Sequence, residues 1–99
     1  MILPTIMRQY ELMVIFRPDF DIKDAKKRDE VIAKLLGASV KVQDVTDMGK
    51  KRLAYPIQKH EEGVYALVHL EDQALHVGDV EKQFRLQTDV IRYLLTVKN

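Results

Sequence analysis

Three consecutive cations, Lys50, Lys51 and Arg52, follow Gly49 and lead into the run Leu53-Ala54-Tyr55-Pro56-Ile57. On an extended segment successive side chains leave opposite faces, so a short strand here carries positive charge on two surfaces. The chemistry that suits such a strand is phosphate recognition, because each phosphate it neutralises releases condensed counterions. Three cations in a row more often form only a solvated face, and the pattern alone does not choose between the two. Lys59 adds a fourth cation to the same hairpin. Tyr55 offers a ring for base stacking, although a strand tyrosine more often packs in a core.

Catalysis has no comparable constellation. His60, His69 and His76 lack the i, i+4 spacing of helical zinc ligands. His60-Glu61-Glu62-Gly63 has no second histidine to complete a zincin motif and falls in a polar stretch that reads as a turn. Ser39 has no histidine near it in sequence, and Gly37, Gly49, Gly63 and Gly78 are too scattered to form a phosphate-cradling loop. Asp19, Asp21, Glu61 and Glu62 read as solvated loop carboxylates. Without cysteine there is no disulfide, thiolate metal site or thiol nucleophile. No enzyme, metal or cofactor is expected.

The 99 residues make one domain with a modest core. A hydrophobic share of 46% with 31% charged residues describes a folded globule, not a disordered tail. Sixteen basic residues against fifteen acidic ones leave a net charge of +1. Nucleic-acid contact must therefore come from a local patch or be shared with a more basic partner. No apolar run approaches the ~20 residues of a membrane span. Met1 to Ile6 has no basic start and is too short for a signal peptide, so a cytoplasmic location and no membrane partner are expected. Those six residues read as an N-terminal extension or arm ahead of a single ferredoxin-like domain over residues 7–99.

The elements that position the cations follow from periodicity. Arg8 to Phe16 alternates, with Tyr10, Leu12, Val14 and Phe16 on one side and Gln9, Glu11, Met13 and Ile15 on the other. Arg17-Pro18-Asp19 ends this strand. Asp21 or Asp24 caps a helix that runs to Leu36 and stops at Gly37. Val40, Val42 and Val45 mark a second strand whose spacing slips by one, the sign of a bulge, and which continues to Pro56. Gln58 to Gly63 reads as the turn, and Val64 to Leu70 as a third strand with two largely apolar faces. Ala74 to Gln87 reads as a second helix, weakened at Gly78, with Val77, Val80 and Phe84 inward. Val90 to Val97 is the last strand.

The order β-α-β-β-α-β is that of the ferredoxin-like α+β fold, a four-stranded antiparallel sheet with two helices on one face. Right-handed crossovers place the first and third strands centrally. Two helices cover one side of such a sheet; if Tyr10, Leu12, Val14 and Phe16 face them, Met13 and Ile15 lie on the open side as a candidate protein-binding patch. Arg8 and Arg92 lie on neighbouring strands and come close if the register allows. The third strand lacks the aromatic Gly-Phe pattern of an RNA-recognition motif, so phosphate and shape contacts are favoured over base stacking.

Several stretches also resemble one family in the same order. Met7-Arg8-Gln9-Tyr10-Glu11, Arg17-Pro18-Asp19-Phe20-Asp21, Val45-Thr46-Asp47-Met48-Gly49, Gly49 to Ile57 and Asp89 to Leu95 resemble the bacterial small-subunit ribosomal protein six family. Met48 stands where many members have tryptophan, and the helix before Gly37 is short. The resemblance implies a non-catalytic ribosomal component that binds the central domain of small-subunit ribosomal RNA together with ribosomal protein eighteen. It implies RNA contact at Lys50, Lys51 and Arg52, and more loosely at Arg8 and Arg92. Lys59 joins them from its place on the hairpin. The alternative is a ferredoxin-like protein–protein interaction module that does not touch RNA.

Overall fold

The computed structural model describes residues 8–37, 40–72 and 77–98. The expected arm at 1–6, Ser39, His76 and the expected helix start at Ala74 lie outside the described residues. The elements are β1 (Arg8–Phe16), α1 (Ala25–Leu36), β2 (Lys41–Ile57), β3 (His60–Asp72), α2 (Val77–Leu86) and β4 (Val90–Lys98). They form one antiparallel sheet in the order β2-β3-β1-β4, with β1 and β3 central as the topology requires.

Alternation in β1 sorts its two faces as the sequence implies. Tyr10, Leu12, Val14 and Phe16 enter the main core with Val64, Ala66, Val68 and Leu70 of β3. The helix-facing side of β3, undecided in the sequence, is therefore the even-numbered one. Val31, Ile32, Leu35 and Leu36 of α1 and Val80 of α2 close the same core, and each fully buried aliphatic side chain contributes about 1.5–3 kcal/mol. Asp24, not Asp21, is the N-cap of α1: its carboxylate accepts the Lys27 backbone N–H at 3.3 Å. Gly37 ends the helix at φ 97°, donating its N–H to Ala33 at 2.8 Å.

The β2–β3 hairpin departs most from expectation. The turn is not Gln58 to Gly63 but only Gln58 and Lys59, both at positive φ (50° and 69°), and β3 begins at His60. Positive φ at both central residues is the type I′ pattern, whose twist suits the flanking strands. The bulge lies between Val42 and Asp44, as the valine spacing suggested. Phe16 at the end of β1 pairs with Val64, so residues 51–63 of the hairpin project beyond β1. Pro56 sits in this stretch, where the ladder is irregular between Arg52 and Ile57 and its missing N–H removes little.

The projecting end folds across the sheet face opposite the helices. Leu53 forms a second cluster there with Ile15 and Ile91, joined by Ile57 and Tyr65. Ile15 therefore lies on the expected face without being open, since it is only 8% exposed. Met13 beside it stays partly exposed.

Candidate nucleic-acid interface

Pairing register fixes where each cation points, because residues directly opposite in an antiparallel ladder share a face. Lys50 pairs with Val64 and Arg52 with Glu62, on the helix side of the sheet; Lys51 pairs with Gly63 on the other side. The basic run thus places charge on both surfaces of the hairpin. Lys50 lines a shallow groove with Phe20, Ile22, Lys23 and Asp47. Lys51 holds its ammonium 5.7 Å from the centre of the Tyr65 ring, a cation–π distance. Lys59 stands at the tip of the turn. All four hairpin cations are exposed, alongside the exposed carboxylates Glu61 and Glu62, which lie on a strand and not in a loop.

Arg92 joins this set. It lies opposite Ile15 on the open face, donates to the Tyr55 hydroxyl at 2.7 Å and sits 5.9 Å from that ring's centre. Tyr55 is 56% exposed rather than a core residue. The folded-over hairpin therefore brings Lys51, Tyr55, Tyr65 and Arg92 to one end of the open face. Arg8 does not join them. It pairs with Asp72, while Arg92 pairs with the level of Ile15, seven residues along β1. At ~3.3 Å per strand residue that separation is about 23 Å.

His69, weighed in the sequence only as a zinc ligand, is the centre of a polar row farther along the same face. Its Nδ1 lies 2.6 Å from Asp44 on β2 and its Nε2 3.3 Å from Glu11 on β1. The hydrogen bond to Asp44, with weaker help from Glu11, holds its pKa above the ordinary 6.5. A histidine raised in the folded state stabilises fully below its ordinary pKa, and the contribution disappears as pH rises through the folded value. Denaturant melts should therefore show the stability advantage of the wild type over His69→Gln shrinking as pH rises from about 6 to 8. A difference that stays flat across that range would rule out the charged bridge.

Two further polar contacts fix the frame. The Tyr93 hydroxyl of β4 donates to Glu81 of α2; burial and this carboxylate push the phenol up to about 12. The Arg17 guanidinium donates to Asp89 at 2.6 Å, and the Arg17 backbone N–H donates to the Asp89 carbonyl at 2.9 Å. The ends of β1 and β4 are clipped together by residues 72 apart in the chain. Among the described residues no group of histidines and carboxylates could hold a metal ion, and no helix is long and apolar enough to cross a membrane.

Comparison with known proteins adds to this geometry. The family model described as Ribosomal protein S6 matches residues 9–98. The small ribosomal subunit protein bS6 of Synechococcus sp. (strain CC9605) is 45% identical over 94 residues, covering 90% of this chain and 72% of that protein. Its counterpart in Synechococcus sp. (strain CC9311) is 43% identical over 90 residues, covering 90% of this chain and 74% of that one. The crystal structure of 30S ribosomal protein S6 from Thermotoga maritima superposes with a TM-score of 0.77 at 24% identity, covering 94% of this chain and 89% of the other.

Proposed function

The chain belongs to the ribosomal protein S6 family, and from that membership we propose that it binds the central domain of small-subunit ribosomal RNA jointly with ribosomal protein eighteen. As a family member it is a structural, non-enzymatic component of the small subunit in the cytoplasmic ribosome. The observation that carries the RNA reading is the exposed basic strand of the β2–β3 hairpin. Lys50 and Arg52 lie on one side of it, Lys51 on the other, and Arg92 is drawn up to its Tyr55. Such an edge reaches phosphates on both sides of itself, which suits an RNA fold recognised by shape. The overall charge of +1 suits a shared interface, in which the protein partner supplies further cations.

The test is the triple substitution of Lys50, Lys51 and Arg52 by alanine. It should weaken binding of the protein pair to central-domain RNA and flatten its salt dependence. Each lost phosphate contact reduces the slope of log K against log salt by about one unit or slightly less. The fold should survive, because exposed charges of this kind alter stability within about 0.5 kcal/mol. An unchanged slope in a folded triple variant would remove the hairpin from the RNA contact. Arg8, distant from the cluster, should matter less than Arg92.

For the protein partner, the open sheet face is the surface we propose, with Met13 at its centre and Ile15 supporting it from beneath Leu53. Two helices cover the other face, and the partly exposed Met13 has neighbours of the same character.

A further inference from the structure

Three successive cross-strand rows of the open face, each fixed by register, differ in character. The row nearest the hairpin end contains Arg92, Ile15 and Tyr65, with Lys51 above Tyr65. The middle row is Leu94, Met13, Leu67 and Thr46. The far row is Thr96, Glu11, His69 and Asp44. Leu94 is 64% exposed although it lies on a sheet, and it continues the apolar line through Met13 and Leu67. Of these three rows the first is thus cationic, the second apolar and the third acidic.

This polarity restricts what covers it. The hairpin end already carries the cations that suit phosphate. Beyond the apolar row lie two carboxylates from different strands, both turned to one imidazole. We propose that the protein partner docks on the apolar and acidic rows through a segment that sets a lysine or arginine between Glu11 and Asp44 and an adjacent apolar side chain over Met13, Leu67 and Leu94, competing with His69 for the two carboxylates. The proposal rests on the partner reading above, and adds to it the chemistry of the segment and a coupling to pH.

The physical reason is competition for the same two carboxylates. Protonated His69 offers its two ring N–H groups to Asp44 and Glu11, and these contacts, Asp44 foremost, favour its charged form. An arriving cation within a few ångströms of the imidazolium repels it and takes over the same acceptors. The bound state then favours neutral His69, so binding releases a proton and strengthens as pH rises. The next register positions along this face hold Glu71 opposite Gln9 and Lys41. Lys98 of β4 lies opposite Gln9 in the same row, so that row adds two lysines and one carboxylate, and the acidic character of the face is confined to Glu11 and Asp44. Thr96 completes the row by donating its hydroxyl to the Glu11 carbonyl at 3.3 Å.

The experiment is titration calorimetry of the full chain with purified ribosomal protein eighteen, at pH 6 and pH 8 and in buffers of differing ionisation enthalpy. Wild type should bind more tightly at pH 8, by about fivefold to tenfold, with net proton release near neutral pH. His69→Gln should bind with little pH dependence and release no such proton, and Glu11→Gln and Asp44→Asn should each weaken binding at pH 8. Met13→Asp should abolish binding while its thermal melt stays close to that of wild type. Tight binding without His69-dependent proton release would overturn the proposal and leave the partner reading standing, as would net proton uptake, which marks an acidic segment. No binding by wild type at either pH would overturn the partner reading and the proposal with it. Binding by Met13→Asp equal to wild type would move the contact off this face and overturn the proposal too.

Discussion

Replacing Gly63 by valine is expected to cost roughly 3 kcal/mol or more, at the upper end of overpacking penalties. A Cβ on Gly63 would stand 2.4 Å from the Cγ2 of Ile15 and 3.3 Å from the Phe16 carbonyl oxygen. The first distance is inside any permitted contact, and Ile15 has nowhere to retreat because Leu53 and Ile91 close over it. For a domain of this size each kcal/mol lowers Tm by about 4–8 °C, so thermal melts should shift by well over ten degrees. Alanine at 63 should cost less but show the same cause. Ile15→Ala removes Cγ2, so in the double variant Gly63→Ala/Ile15→Ala the two losses should not add. Strict additivity would place the strain elsewhere.

Breaking the Arg17–Asp89 clip is the second large effect. Arg17→Met keeps most of the apolar stem and removes the charged donor, leaving the mostly buried Asp89 carboxylate without its 2.6 Å partner. Hydrogen bonds to charged groups contribute about 1.5–3 kcal/mol, and we expect a loss of about 2 kcal/mol by urea titration. Asp89→Ala should lose a similar amount, and the double variant little more than either single one. Lysine at 17 should not restore the loss, since it lacks the planar fork that lets arginine reach one carboxylate while its stem lines the strand end. Additive losses in the cycle would show that the two side chains act independently.

These two sites also mark where the sequence stops being legible. Two-residue alternation exposed β1, the valine slip exposed the β2 bulge, and Gly37 with a cap at Asp21 or Asp24 bracketed α1, because each signal is local. Gly63 has no such local meaning. In sequence it closes a polar stretch and reads as the end of a turn, whereas it is a strand residue kept small by a side chain from β1. The true turn, Gln58–Lys59, carries none of the glycine or asparagine that usually accompanies two positive φ values. Long separations hide the remainder. Arg17 and Asp89 are both in stretches that carry the family resemblance, but nothing in either says that they meet. The same holds for Tyr55 and Arg92, which touch only because the hairpin end folds over a sheet whose order places β2 and β4 at opposite edges. The basic run was legible as chemistry; its neighbours were not.

The strand order has a consequence for how the molecule is made. β1 is synthesised first yet lies between β3 and β4, and its pairing with β4 joins positions such as Gln9 and Lys98. At ~5–20 residues per second of translation, roughly 4–18 s separate the emergence of the two strands. For that interval the outer edge of β1, with its apolar run from Leu12 to Phe16, has every backbone group on one side open to whatever extended chain is nearby. The nascent protein is thus most vulnerable to mispairing just before its last described strand arrives. Cells that make it in large amounts have reason to keep that interval short or the edge covered.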